Sequence, residues 1–172
     1  RSEAIYKHKL GSDSKEDQLV FEEKDDTFGV GVYKTKSKEF LVISSYSTLT
    51  TEFQILNANT PDGKFKVFQP RTRGLEYSIS HYGDSFYVLS NADGAQNFKL
   101  SKTSENNTEK RFWEDIIPHR EDVMLEGIDI FKDFLVVSER KHGLNLIKIE
   151  RWDGSDSYYL PFESETYTAY TT

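Results

Sequence analysis

One segment returns three times along this chain at nearly constant spacing. It begins Phe40-Leu-Val-Ile-Ser, then Phe86-Tyr-Val-Leu-Ser, then Phe134-Leu-Val-Val-Ser, at intervals of 46 and 48 residues. A second apolar run follows each copy, at Glu52-Phe-Gln-Ile-Leu, Asn97-Phe-Lys-Leu and Asn145-Leu-Ile-Lys-Ile. Each unit then closes on a proline, Pro70, Pro118 or Pro161, which accounts for three of the four prolines in the chain. Proline has no N–H to give to a further strand, so it suits the end of an outer edge strand. Short runs rich in aromatic and β-branched residues, bounded by Gly, Asn, Asp or Pro, read as strands. They fall at 5–10, 19–22, 28–35, 40–45, 52–56, 64–69, 77–81, 85–89, 97–102, 112–117, 127–131, 134–138, 145–150 and 158–160. No 3.6-residue apolar period persists beyond two turns, and 105–111 reads as a long hairpin loop.

Four strands per period of about 47 residues is the signature of propeller blades. The chain is therefore expected to be all-β, a propeller fragment of about three and a half four-stranded antiparallel blades. Blades are expected at 27–70, 75–118 and 125–161. Residues 1–22 would end a preceding blade and 165–172 would start the next, all within one partial domain over 1–172. The first strand of each unit should be the inner one. The second is the most apolar, as for a strand covered on both faces. A β-sandwich would explain short strands but not the aligned Phe and Pro positions. Both ends read as interrupted, so a fragment of a longer chain is expected.

Composition narrows the function. The net charge of -7 argues against nucleic acid, which needs a basic face. No apolar run is long enough to span a membrane, so a soluble chain is expected, its compartment left open. Cysteine is absent, which removes disulfides and thiolate metal sites. The four histidines, His8, His81, His119 and His142, show no paired zinc spacing. The acidic run 22–26 lacks an EF-hand pattern and reads as a solvated loop. No Gly-x-Ser-x-Gly occurs, and Asp153-Gly-Ser-Asp-Ser lacks the second glycine, so it reads as a turn. No catalytic residue, cofactor or metal is expected. The single Trp152-Asp153 pair is a weak repeat signature, and Trp152 reads as an aromatic packing after a third strand. The insert Asn91-Ala-Asp-Gly-Ala-Gln reads as a hairpin bend, with Gly94 supplying positive φ and Asn91 or Asp93 capping it.

Several motifs stand in order: Leu19-Val-Phe-Glu-Glu, Gln69-Pro-Arg, Glu76-Tyr-Ser-Ile, Phe86-Tyr-Val-Leu-Ser-Asn and Asp93-Gly-Ala-Gln-Asn-Phe-Lys-Leu. Ile117-Pro-His-Arg, Leu125-Glu-Gly-Ile-Asp-Ile-Phe and Leu135-Val-Val-Ser-Glu-Arg-Lys-His-Gly-Leu follow. The series resembles the N-terminal propeller of the oligopeptidase B (protease II) branch of the prolyl oligopeptidase family. The resemblance implies a seven-bladed propeller capping an α/β-hydrolase domain that cuts short peptides after Arg or Lys with a Ser-Asp-His triad. It implies that the propeller filters substrates by size, and that the catalytic domain lies outside this stretch. The implied partners are that domain and oligopeptides. A stand-alone interaction module without peptidase activity is the alternative.

The remaining signal is positional. Glu76 and Glu126 each follow a leucine just before an expected first strand, and Arg71, Arg73 and Arg120 lie in the connections leading there. Those connections run along one face of a propeller, the face that the resemblance turns toward the catalytic domain. Carboxylates there could steer cationic peptides, and arginines could pair with the partner domain. The competing reading is local pairing of each Glu with a nearby Arg or backbone N–H. Terminal blades without neighbours would expose apolar faces, so self-association is also expected.

Overall fold

The structure is a computed structural model that describes residues 3–164 and 167–171. Among the described residues, fourteen strands form one two-stranded and three four-stranded sheets, and every pairing is antiparallel. The chain divides into two compact units, Arg1–Glu76 with Thr108–Arg111, and Tyr77–Asn107 with Phe112–Thr172.

The first unit holds the two-stranded sheet of β1 (Ala4–Lys7) and β2 (Gln18–Glu22). It also holds β3 (Gly29–Lys34), β4 (Phe40–Tyr46), β5 (Thr51–Asn57) and β6 (Lys66–Val67), which lie side by side in chain order. Successive antiparallel strands can pair this way because a hairpin connection suffices to join them. At the β3–β4 turn, exposed Lys38 takes φ 66° and its N–H donates to the Thr35 carbonyl. Val30, Val42, Ile43, Phe53, Ile55 and Phe68 are buried in this unit.

The second unit holds two such sheets. One is β7 (Tyr77–Tyr82), β8 (Ser85–Ser90), β9 (Lys99–Ser104) and β10 (Glu114–Ile117). The other is β11 (Met124–Ile130), β12 (Phe134–Lys141), β13 (Leu144–Arg151) and β14 (Ser157–Tyr159). All six residues of β8 are buried, so this second strand is covered on both faces. Tyr87, Leu89 and Leu100 pack with Leu125, Ile130, Leu135 and Val137 in one apolar cluster between the two sheets. Trp152 closes that cluster. Its ring stacks on Tyr82 at 5.3 Å and 7°, and its Nε1–H donates to the Phe131 carbonyl at 2.9 Å. The packing role expected for Trp152 is therefore its role here.

Local geometry departs from the sequence reading in a few places. Asn97 and Phe98 precede β9 rather than opening it, because Phe98 takes φ 61°. The 91–96 bend is a short 3-10 turn with positive φ at Asp93 and Gly94. No side-chain cap from Asn91 closes it, and the Asp93 carboxylate instead accepts from Lys99 Nζ at 3.1 Å. The 105–111 loop contains part of another 3-10 turn, Lys110–Phe112. Of the blade start expected at 165–172, residues 165, 166 and 172 lie outside the described residues, and 167–171 form no strand. Among the described residues no helix is long and apolar enough to cross a membrane.

Candidate interface residues

Arg71 lies just beyond Pro70, after the last strand of its sheet, in the first unit. Its guanidinium donates to both oxygens of Glu23, at 2.6 and 3.5 Å, and to Glu52 Oε1 at 3.4 Å. Its backbone N–H donates to Glu52 Oε2 at 2.8 Å. The guanidinium carbon lies 3.7 Å from the centre of the Phe28 ring, a cation–π contact. Burial alone would raise the Glu23 pKa. Hydrogen bonds from Arg71 and the Asp25 backbone outweigh it and hold the group below its ordinary 4.5. Burial likewise disfavours the charged form of Arg71, but the carboxylates of Glu23, Glu52 and Asp25 more than offset it. The acidic run 22–26 is thus not simply a solvated loop, since the Glu23 side chain is only 7% exposed.

Arg73 stands two residues on, with a different fate. It is exposed and has no hydrogen-bond or ion-pair partner among the described residues. Arg71 and Arg73 line an open concavity of about 660 Å³ with Phe28, Thr48, Leu49 and Thr50. The turn carrying Arg73 is fixed: Leu75 N–H donates to the Thr72 carbonyl, and Gly74 N–H to Thr50 Oγ1. Gly74 has φ 84°, a value that favours glycine.

Arg120 lies in the corresponding connection of the second unit, one residue further from its proline, Pro118. It pairs with Glu139, whose side chain is 1% exposed, and Tyr159 donates its hydroxyl to Glu139 Oε2 at 2.9 Å. Burial works against the Arg120 charge, and the bond to Glu139 reverses the balance and raises its pKa. Asn97 anchors the same connection. Its Nδ2 donates to the carbonyls of Arg120 (3.0 Å) and Glu121 (2.8 Å), while its backbone carbonyl accepts from Leu125 N–H.

The two glutamates differ in setting. Glu76 is half-buried, immediately before β7. Glu126 lies inside β11 rather than before it, at a register shift where Leu125 and Gly127 face consecutive residues of β12. The bulge turns its carboxylate toward Arg140 Nε (2.6 Å) and Asn145 Nδ2 (2.8 Å). Local pairing therefore describes Arg71, Arg120 and Glu126. Sequence reasoning missed Glu23, Glu52, Glu139 and Asn97. Only the placement of Glu23 and Glu139 near expected strand ends could have flagged them.

Repeated four-stranded antiparallel sheets with strands in chain order define the β-propeller class. The family model for the prolyl oligopeptidase N-terminal β-propeller domain matches residues 1–171, and the chain belongs to that family. It is 38% identical over 163 residues to dipeptidyl aminopeptidase BI of Pseudoxanthomonas mexicana, covering 95% of this chain and 22% of that protein. It is 32% identical over 143 residues to protease 2 of Moraxella lacunata, covering 83% of this chain and 20% of that one. Among solved structures, it matches oligopeptidase B from Trypanosoma brucei, in a closed form with covalently bound antipain. That match has a TM-score of 0.86 at 26% identity, over 95% of this chain and 24% of the other. Oligopeptidase B from Leishmania major gives 0.87 at 25% identity, with the same coverage. The chain thus spans about a fifth to a quarter of the length of these relatives.

Proposed function

We propose that this chain is the non-catalytic gating portion of an oligopeptidase B-like serine peptidase that cleaves short peptides after Arg or Lys. The observation that carries this is the match of 1–171 to the propeller domain, together with the likeness to two oligopeptidase B structures. The absence of any Gly-x-Ser-x-Gly agrees with a role that leaves the chemistry to another part of the parent chain. In this reading the propeller admits short, flexible peptides and docks an α/β-hydrolase domain of the same parent. Glu76 contributes negative potential that draws cationic peptides inward, and Glu126, already paired with Arg140, contributes a smaller share. Because Arg71 and Arg120 already hold carboxylates of their own units, Arg73 is the arginine with donors to offer a partner.

The test uses the full-length parent and this chain side by side on an Arg-Arg peptide of about ten residues. The parent is expected to hydrolyse it, and the isolated chain to leave it intact. In the parent, joint Glu76→Gln and Glu126→Gln substitution should lower kcat/KM about two- to fivefold at low salt, the difference fading at high salt. Hydrolysis by the isolated chain would overturn the non-catalytic reading. An unchanged kcat/KM at low salt would remove the steering role.

A further inference from the structure

The concavity of the first unit has the makings of a binding site for a free carboxyl group. Of its two arginines, Arg71 has its donors engaged by Glu23 and Glu52 and one face laid on Phe28. Arg73 is exposed on a turn pinned by Gly74 and Leu75, and it has no partner among the described residues. A guanidinium carries a planar fork of donors, the geometry that takes a carboxylate through two parallel hydrogen bonds. Nearby, Thr48 offers a hydroxyl that also lacks a partner among the described residues. Leu49 leaves 63% of its surface exposed beside it. Asp25, the acidic residue of the lining, is exposed, with one carboxylate oxygen held within its own turn. Its carboxylate accepts from the backbone N–H and the hydroxyl of Thr27 at 3.0 and 2.6 Å.

We infer that this concavity binds the free C-terminus of a short peptide ending in a large apolar residue. In such a residue the carboxylate and the apolar side chain share one Cα. The carboxylate can therefore meet Arg73 and Thr48 while the side chain covers Leu49. An Asp or Glu side chain carries its charge at the tip of a short stem and brings no apolar group of its own. The cavity volume of about 660 Å³ lies in the range that holds small ligands. The identity of the ligand as a peptide rests on the gating role proposed above, but the binding event requires only this chain.

The probes are acetyl-Gly-Phe with a free carboxylate, its C-terminal amide, and acetyl-Gly-Glu-amide, which carries its only carboxylate on a side chain. Each is titrated into the 172-residue chain by isothermal calorimetry at low salt, with backbone chemical shifts recorded in parallel. The free acid should saturate and move the amides of residues 48–50 and 72–74. The amide and the glutamyl probe should bind at least about tenfold more weakly. Arg73→Gln should weaken the free acid at least about tenfold, Leu49→Ser by a smaller factor, and circular dichroism should confirm that both variants remain folded. Equal binding of acid and amide, or an Arg73→Gln variant that binds as wild type, would overturn the site. So would shifts that map away from these two turns, or a glutamyl probe that binds as well as the free acid. None of these outcomes depends on hydrolysis by the parent, so failure here is separable from failure of the gating reading.

Discussion

Replacing Arg71 by Ala should be among the most damaging single substitutions outside the apolar core. Its side chain is 26% exposed and faces Glu23 and Glu52 side chains that are 7% and 15% exposed. Removing it leaves two largely buried carboxylates without their cation, which in fully buried pairs costs about 3–5 kcal/mol. Residual solvent contact at Arg71 lowers that share to about 2 kcal/mol, and loss of the Phe28 contact adds about 0.5–1 kcal/mol. A total near 3 kcal/mol corresponds to a Tm drop of about 6–12 °C for a chain of this size. Arg71→Lys keeps the charge without the fork and should lose about half as much. The assay is urea unfolding, with Glu23→Gln and the double variant closing a thermodynamic cycle. The expected coupling is about 1–2 kcal/mol. The pH dependence supplies a second arm. Glu23 has its folded pKa below the ordinary 4.5, so its contribution is fully present above 4.5 and is lost as pH falls through the native value. The stability gap between wild type and Glu23→Gln should therefore narrow as the pH falls below 4.5. Coupling below about 0.5 kcal/mol, or a gap that persists undiminished in acid, would refute the ion pair as the source.

Two further expectations follow from single positions. Glu139→Gln should destabilise the second unit by about 2 kcal/mol, and Glu139→Ala by more, because Arg120 and Tyr159 both lose a buried partner; urea unfolding followed by tryptophan fluorescence reads this. Lys38→Gly should stabilise the chain by about 0.5 kcal/mol, since relief of the left-handed backbone outweighs the added freedom of glycine when unfolded; an equal or lower Tm would contradict it.

The strands were legible because they are short runs of β-branched and aromatic residues bounded by turn-forming residues, and the repeat made every copy support the others. Phe86 and Phe134 begin or nearly begin their strands for the same reason Phe40 does. What could not be read were features set by contacts distant in sequence. Nothing near Arg71 announces that Glu23, 48 residues away, will hold it. The bulge at Glu126 depends on the register of β12, and the positive φ of Phe98 departs from what a phenylalanine in an apolar run usually adopts. The candidate site followed the same division. The arginines were found by position, but which one keeps its donors available is decided by neighbours that only folding supplies.

Asn97 can be restated as a question of valence. Its side-chain nitrogen has two hydrogens, and the carbonyls of Arg120 and Glu121 take them. Aspartate would set an anion against those two oxygens, serine has one hydrogen and a shorter reach, and glutamine would overshoot by a methylene. The asparagine of Asn-Phe-Lys-Leu is thus a position at which the alphabet of twenty offers one fitting letter, and a short word in the sequence is spelled by the count of hydrogens a connection requires.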